Sequence, residues 1–172
     1  MHMIPLFKVF VPPDIGKCIQ EVFDSGVITE GAYSDAFEAE LRKRFGRPTS
    51  LTNSGTAALT LAYKMAGVGP GTEVISTPMT CMATNEPIQT LGAKIVWADI
   101  NPQTGNINIK DACRKVTDRT VAIVGVAWAG NPFDVPTLEA CVPPRVKIIV
   151  DAAHAFGATL CDKPISMFGD YV

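Results

Sequence analysis

Two early stretches carry apolar residues at helical spacing. After Pro12-Pro13-Asp14, the residues Ile15, Cys18, Ile19, Val22 and Phe23 fall on one face of a helix predicted over 14–24, and Ser25-Gly26 ends it. A second helix is predicted over 34–45, with Ser34 as its N-cap, Phe37, Leu41 and Phe45 as its stripe and Gly46 as its terminator. From Ser50 the rhythm changes to short apolar runs alternating with helices. Strands are expected at 50–53, 73–76, 94–98, 120–126 and 146–150, and helices at 56–66, 81–91, near 110–115 and near 136–141. Wholly apolar strands are buried on both faces, so the pattern predicts an α/β fold: three layers, with a mostly parallel sheet between helices. The turn-rich stretches 101–108 and 131–136 read as connections inside this domain. No internal repeat or low-complexity tract interrupts it.

Composition narrows the class. A chain of 172 residues suits one sizeable core, burying roughly 70% of its unfolded surface. With 47% apolar and 19% charged residues it is globular, and its net charge of -2 gives no electrostatic case for nucleic acid or an anionic membrane. The five cysteines, Cys18, Cys81, Cys113, Cys141 and Cys161, are odd in number and lack Cys-x-x-Cys or Cys/His ligand spacing. Neither a disulfide framework nor a zinc site is therefore expected, and no other metal site is indicated. No apolar run reaches the eighteen residues of a spanning helix, and the first residues do not read as a signal peptide. A soluble protein of the reducing cytoplasm is the expectation.

Two segments carry candidate chemistry. Residues 148–151, Ile-Ile-Val-Asp, read as a buried strand that delivers Asp151 to its carboxyl end, where open α/β sheets bind ligands. His154 follows three residues later. The second segment is Leu51-Thr52-Asn53-Ser54-Gly55-Thr56-Ala57-Ala58-Leu59, a small-residue turn entering a helix. The unpaired amides and positive dipole end of such a helix suit a phosphate, with Gly55 permitting close approach and the Thr56 hydroxyl adding a donor. The same residues also serve as an ordinary N-cap, and Asp151 equally reads as a cap of the following segment. Taken together, they suggest a ligand with a phosphate at one end and a basic nitrogen at the other.

Asn53-Ser54-Gly55-Thr56-Ala57-Ala58-Leu59, Gly69-Pro70-Gly71-Thr72-Glu73-Val74-Ile75 and Asp151-Ala152-Ala153-His154-Ala155-Phe156-Gly157-Ala158 together resemble the signature run of the DegT/DnrJ/StrS-type aminotransferases. The similarity extends from Ile4-Pro5-Leu6 through Gly26 and Gly31 to Ser166-Met167-Phe168-Gly169-Asp170. It implies a fold-type-I pyridoxal 5'-phosphate enzyme acting on nucleotide-linked keto sugars. Residues 1–47 would then be an N-terminal helical segment and 48–172 part of the cofactor-binding large domain.

The resemblance implies that Ser54, Gly55 and Thr56 hold the phosphate, and that Asp151 pairs with the pyridine nitrogen and keeps it protonated. His154, at a position commonly Gln or His in the family, is expected to touch the ring or its phenolic oxygen, although a histidine between alanines also reads as a packed side chain. Cys81 stands where many relatives have an aromatic residue stacked on the ring, and a smaller sulfur there implies van der Waals contact at most. Its alternative is a small buried apolar residue. Ala127 replaces a family histidine ahead of Trp128.

In that family the lysine bonded to the cofactor lies shortly beyond the Phe-Gly-Asp element, and members run to roughly twice this length. The expectation is an amino-terminal fragment without its catalytic lysine, inactive alone, whose parent moves an amino group from a donor such as glutamate to a keto sugar. Two alternatives stay open: a sugar dehydratase of the same family, in which histidine replaces the lysine, and a non-catalytic remnant that binds a nucleotide or a partner. A dinucleotide site is disfavoured, because no Gly-x-Gly-x-x-Gly follows the first strand. Family members are dimers, so self-association is expected, with residues 26–33 near a partner.

Overall fold

The computed structural model describes residues 8–172, so the Ile4-Pro5-Leu6 part of the resemblance lies outside the described residues. The chain divides into two compact units, one ending at Glu40 and one beginning at Leu41.

The first unit holds α1 (Ile15–Ser25) and the start of α2 (Ala32–Phe45). Gly26 stops α1 with φ 71°, a left-handed conformation that glycine adopts without a Cβ penalty, and its amide bonds back to the Phe23 carbonyl. The Tyr33 hydroxyl donates to Glu21 across the pair. Ser34 is not the cap of α2. The helix begins two residues earlier, and Ser34 Oγ lies inside the first turn, accepting from the Gly31 amide and donating to the Gly31 carbonyl, each at 2.9 Å. The hydroxyl thus closes the entry turn instead of capping a later start.

The second unit is built on a four-stranded parallel sheet of order β2-β1-β3-β4, from β1 (Glu73–Ser76), β2 (Lys94–Trp97), β3 (Thr120–Val126) and β4 (Lys147–Asp151). Successive side chains point to opposite faces, and the two cores follow that alternation. Val74, Val124 and Ile149 face α3 (Gly55–Met65) and α4 (Met82–Thr90), packing with Tyr63 and Ile88. Ile75, Ile123, Ile148 and Val150 face α5 (Ile109–Arg114) and α6 (Val135–Cys141), packing with Ala112 and Leu138. This is the expected three-layer arrangement. A small antiparallel hairpin, β5 (Thr159–Leu160) and β6 (Lys163–Pro164), follows.

The strand expected at 50–53 does not form. In this polar run the Thr52 hydroxyl donates to the Ser54 carbonyl at 2.9 Å, so side chains satisfy the local backbone where a ladder was expected. Beyond the hairpin, Arg47 gathers the closing segment by donating to the carbonyls of Ser166, Phe168, Gly169 and Asp170 at 2.8–3.3 Å. Asp170 accepts from Lys147 Nζ and from the Ile148 amide, each at 2.8 Å, and Tyr171 bridges to Ile149 in parallel.

The cysteines correct a third expectation. Cys113 at the end of α5 and Cys141 at the end of α6 form a disulfide, with Cα atoms 6.1 Å apart. Their separation of 28 residues hid the pair in the sequence, and only the packing of both helices on one face of the sheet brings them together. Cys18, Cys81 and Cys161 are free thiols. No described helix is long and apolar enough to cross a membrane.

Candidate active site

Strand order places a crevice before any side chain is considered. The chain leaves β1 for β2 on one side and returns to β3 on the other, so the switch point lies at the carboxyl ends of β1 and β3, where doubly wound sheets bind ligands. Three segments leave that edge: Thr77–Cys81 after β1, Ala127–Asn131 after β3, and the run from Ala152 after β4.

Asp151 ends β4 and is half-buried. Its Oδ2 accepts the Thr84 hydroxyl at 2.7 Å and its Oδ1 accepts the Ala153 amide at 3.2 Å. Thr84, fully buried in the first turn of α4, has one hydroxyl proton and directs it at the carboxylate. The Thr80 hydroxyl, 2.7 Å from Thr84 Oγ1, is therefore the donor of that second bond. The Thr84 carbonyl in turn accepts the hydroxyl of Tyr63 at 2.8 Å. Burial, reinforced by the charge of Asp151, holds the Tyr63 phenol protonated far above its ordinary range. Through Thr84, then, α3, α4 and β4 are tied at one point. Among the described residues no ion pair involves Asp151, which leaves its remaining lone pairs to a proton-bearing partner.

Ser54 caps α3 from an extended backbone, φ -164°, and its Oγ accepts the Ala57 amide at 3.2 Å. Gly55 and Thr56 open the helix, where amides have no preceding helical carbonyl and the dipole favours an anion. No direct bond joins Ser54, Gly55 or Thr56 to Asp151, and the connection runs along α3 to Tyr63 and Thr84. Cys81 stands exposed at the N-cap position of α4, without a side-chain capping bond, one helical turn before Thr84. His154 is exposed and meets Trp128 from the β3 loop, edge to face, with ring centroids 5.5 Å apart.

A cleft of about 260 Å³ with Thr80, Met82, Asn85 and Trp97 on its walls opens beside the α4 terminus. Another, of about 210 Å³ between Arg44, Phe45, Gly157 and Ile165, contains none of the candidate residues. Sequence reasoning missed Thr84, Thr80 and Tyr63. The available signal was a pair of threonines four apart across a strand-to-helix junction, which puts both hydroxyls on one side of the helix start.

Residues 13–172 match the model of the DegT/DnrJ/EryC1/StrS aminotransferase family. The chain belongs to this family. It is 34% identical over 171 residues to the spore coat polysaccharide biosynthesis protein SpsC of Bacillus subtilis, covering 98% of this chain and 44% of that protein. The sugar aminotransferase CalS13 of Micromonospora echinospora superposes with a TM-score of 0.89 at 37% identity, over 95% of this chain and 47% of that one. GDP-4-keto-6-deoxy-D-mannose-3-dehydratase of E coli, solved with bound hydrated PLP, superposes with a TM-score of 0.88 at 29% identity, over 98% and 46%. The DegT/DnrJ/EryC1/StrS chain described here thus spans about half the length of these relatives. Its structural neighbours thus include an aminotransferase and a dehydratase on one scaffold.

Proposed function

We propose that this chain forms the pyridoxal 5'-phosphate cradle of an enzyme that transfers an amino group from an amino acid, glutamate in this reading, to a nucleotide-linked keto sugar. The observation that carries the reading is Asp151: a half-buried carboxylate at the switch-point edge, oriented by Thr84 and the Ala153 amide, with no cationic side chain paired to it among the described residues. A protonated pyridine nitrogen suits this environment, because the fixed charge favours the protonated ring where screening by water is reduced. Bound there, the cofactor supplies an electron sink for a carbon losing its proton.

Ser54, Gly55 and Thr56 take the phosphate through the open amides of α3. His154 contacts the ring or its phenolic oxygen, and Cys81 lies against the ring without stacking. General-base chemistry is assigned to none of these residues. The enzyme works as a homodimer in the cytoplasm.

Titration of pyridoxal phosphate into the 172-residue protein, followed by fluorescence and with NAD as control ligand, tests this reading. Saturable binding, weakened at least about tenfold by Asp151→Ala and by Ser54→Ala, is expected, since each removes a charge-assisted contact. Absence of saturable binding, or a preference for NAD, would overturn it. The dehydratase neighbour supports a second reading with the same cradle and a different outcome at the sugar. Assaying the enzyme for amino transfer against loss of a sugar hydroxyl decides between the two.

A further inference from the structure

Trp128, which makes the ring contact to His154, is itself held by a turn that contains no candidate site residue. Asn106, only 4% exposed, lies in that turn between Asp99 and α5. Its Oδ1 accepts the Trp128 amide and its Nδ2 donates to the Asn131 carbonyl, both at 3.0 Å. One side chain therefore brackets the Trp128–Asn131 loop at both ends, and only one orientation of the amide satisfies both bonds.

Gly105 acts on the indole. It has φ +72°, and a Cβ there would stand 2.6 Å from Trp128 Cδ1, so the ring lies directly over the Gly105 backbone. The turn is internally bonded, with the Asn101 amide donating to the Asn106 carbonyl and the Gly105 amide to the Asn101 carbonyl, each at 2.8 Å.

The bracketed loop needs such support. Ala129 adopts φ 53° and ψ 27°, left-handed values unfavourable for alanine, which persist where surroundings over-determine the backbone. Gly130, φ +85°, comes close enough that a Cβ would lie 3.1 Å from the His154 carbonyl oxygen. The loop thus touches both the ring and the backbone of His154.

We propose that Gly105 and Asn106 are positioning residues: together they lock the Trp128–Asn131 loop, and through it fix His154 at the candidate cofactor site. The effect on cofactor affinity rests on the function proposed above, whereas the locking of His154 does not.

The test is the ring resonances of His154 in the 172-residue protein, whose one other histidine, His2, is removed by substitution to make the assignment unique. In the parent sequence the Trp128 indole displaces these resonances, and Trp128→Leu abolishes the displacement. Asn106→Ala and Gly105→Ala are expected to move them most of the way to the Trp128→Leu positions and to weaken pyridoxal phosphate binding about tenfold. Asn106→Asp, which keeps the acceptor and loses the donor, gives an intermediate shift and serves if the alanine variant does not fold. Folded Asn106 and Gly105 variants whose His154 resonances stay in place would overturn the proposal. If the parent protein shows the displacement yet binds no pyridoxal phosphate, the cofactor reading fails and the lock stands.

Discussion

The Thr84 hydroxyl donates to Asp151 Oδ2 at 2.7 Å, joining the first turn of α4 to the last residue of β4. This bond sets the rotamer of the carboxylate, and Thr80 completes it by occupying the lone pair that Thr84 leaves open. Thr84→Val keeps the shape and removes the hydroxyl. A hydrogen bond to a charged group contributes about 1.5–3 kcal/mol to stability, and because this one orients the carboxylate for its ligand, pyridoxal phosphate affinity should also fall in the valine variant, while Thr84→Ser retains most of both. Equilibrium titration by fluorescence measures this, and unchanged affinity in the valine variant would remove Thr84 from the site.

Glu73 predicts a pH dependence at the opposite edge of the sheet. Its buried carboxylate accepts the Thr117 hydroxyl and Arg119 Nη2, each at 2.7 Å, with Lys94 Nζ at 3.6 Å. The Thr117 bond, aided by Arg119 and against the opposing effect of burial, holds its pKa below the ordinary 4.5. A group depressed on folding stabilises fully above its unfolded value, and that stabilisation is lost as pH falls from about 4.5 through the folded value. Urea midpoints should therefore drop between pH about 6 and about 3, less steeply for Glu73→Gln. Removing Arg119, whose own side chain is exposed, at neutral pH leaves the buried carboxylate to Thr117 and Lys94 and should cost about 1–2 kcal/mol.

Reduction should loosen the contact between α5 and α6. Closing a loop of 28 residues between Cys113 and Cys141 stabilises by about 3.5 kcal/mol in the chain-entropy account. Thermal unfolding with and without dithiothreitol should differ by roughly 7–14 °C at this chain length. The Cys113→Ser, Cys141→Ser double variant should match the reduced protein and lose all sensitivity to reductant. Quantitative alkylation of both thiols without reduction would show the bond absent in solution.

What was legible in the sequence follows physical range. The 73–76 and 120–126 strands were readable because a run buried on both faces declares itself locally, and Asp151 was readable because it interrupts such a run. The failed 50–53 strand shows the limit of that rule. Thr52 has extended propensity but also a hydroxyl that bonds nearby backbone, and whether a ladder partner exists is decided elsewhere in the chain. Thr84, Asn106 and the cysteine pair were illegible for a related reason. Each acts across 21 to 67 residues of sequence, and nothing in its own neighbourhood specifies the partner.

Helix α1 carries the last prediction. Its apolar stripe is solvent-exposed among the described residues: Ile15 is 40% exposed, Ile19 48% and Phe23 62%, and no residue of the helix is buried. A stripe of that size left in water favours association, and Val27, Ile28 and Tyr33 extend it beyond the helix. Light scattering should report a dimer or larger species, and Ile19→Glu with Phe23→Glu should shift it to monomer by placing two charges on the stripe. Because both side chains are already exposed, the double variant should unfold within about 0.5 kcal/mol per site of the parent protein, so loss of association cannot be attributed to loss of fold. A parent protein that is strictly monomeric at tens of micromolar, or a double variant that still associates, would place the subunit contact elsewhere.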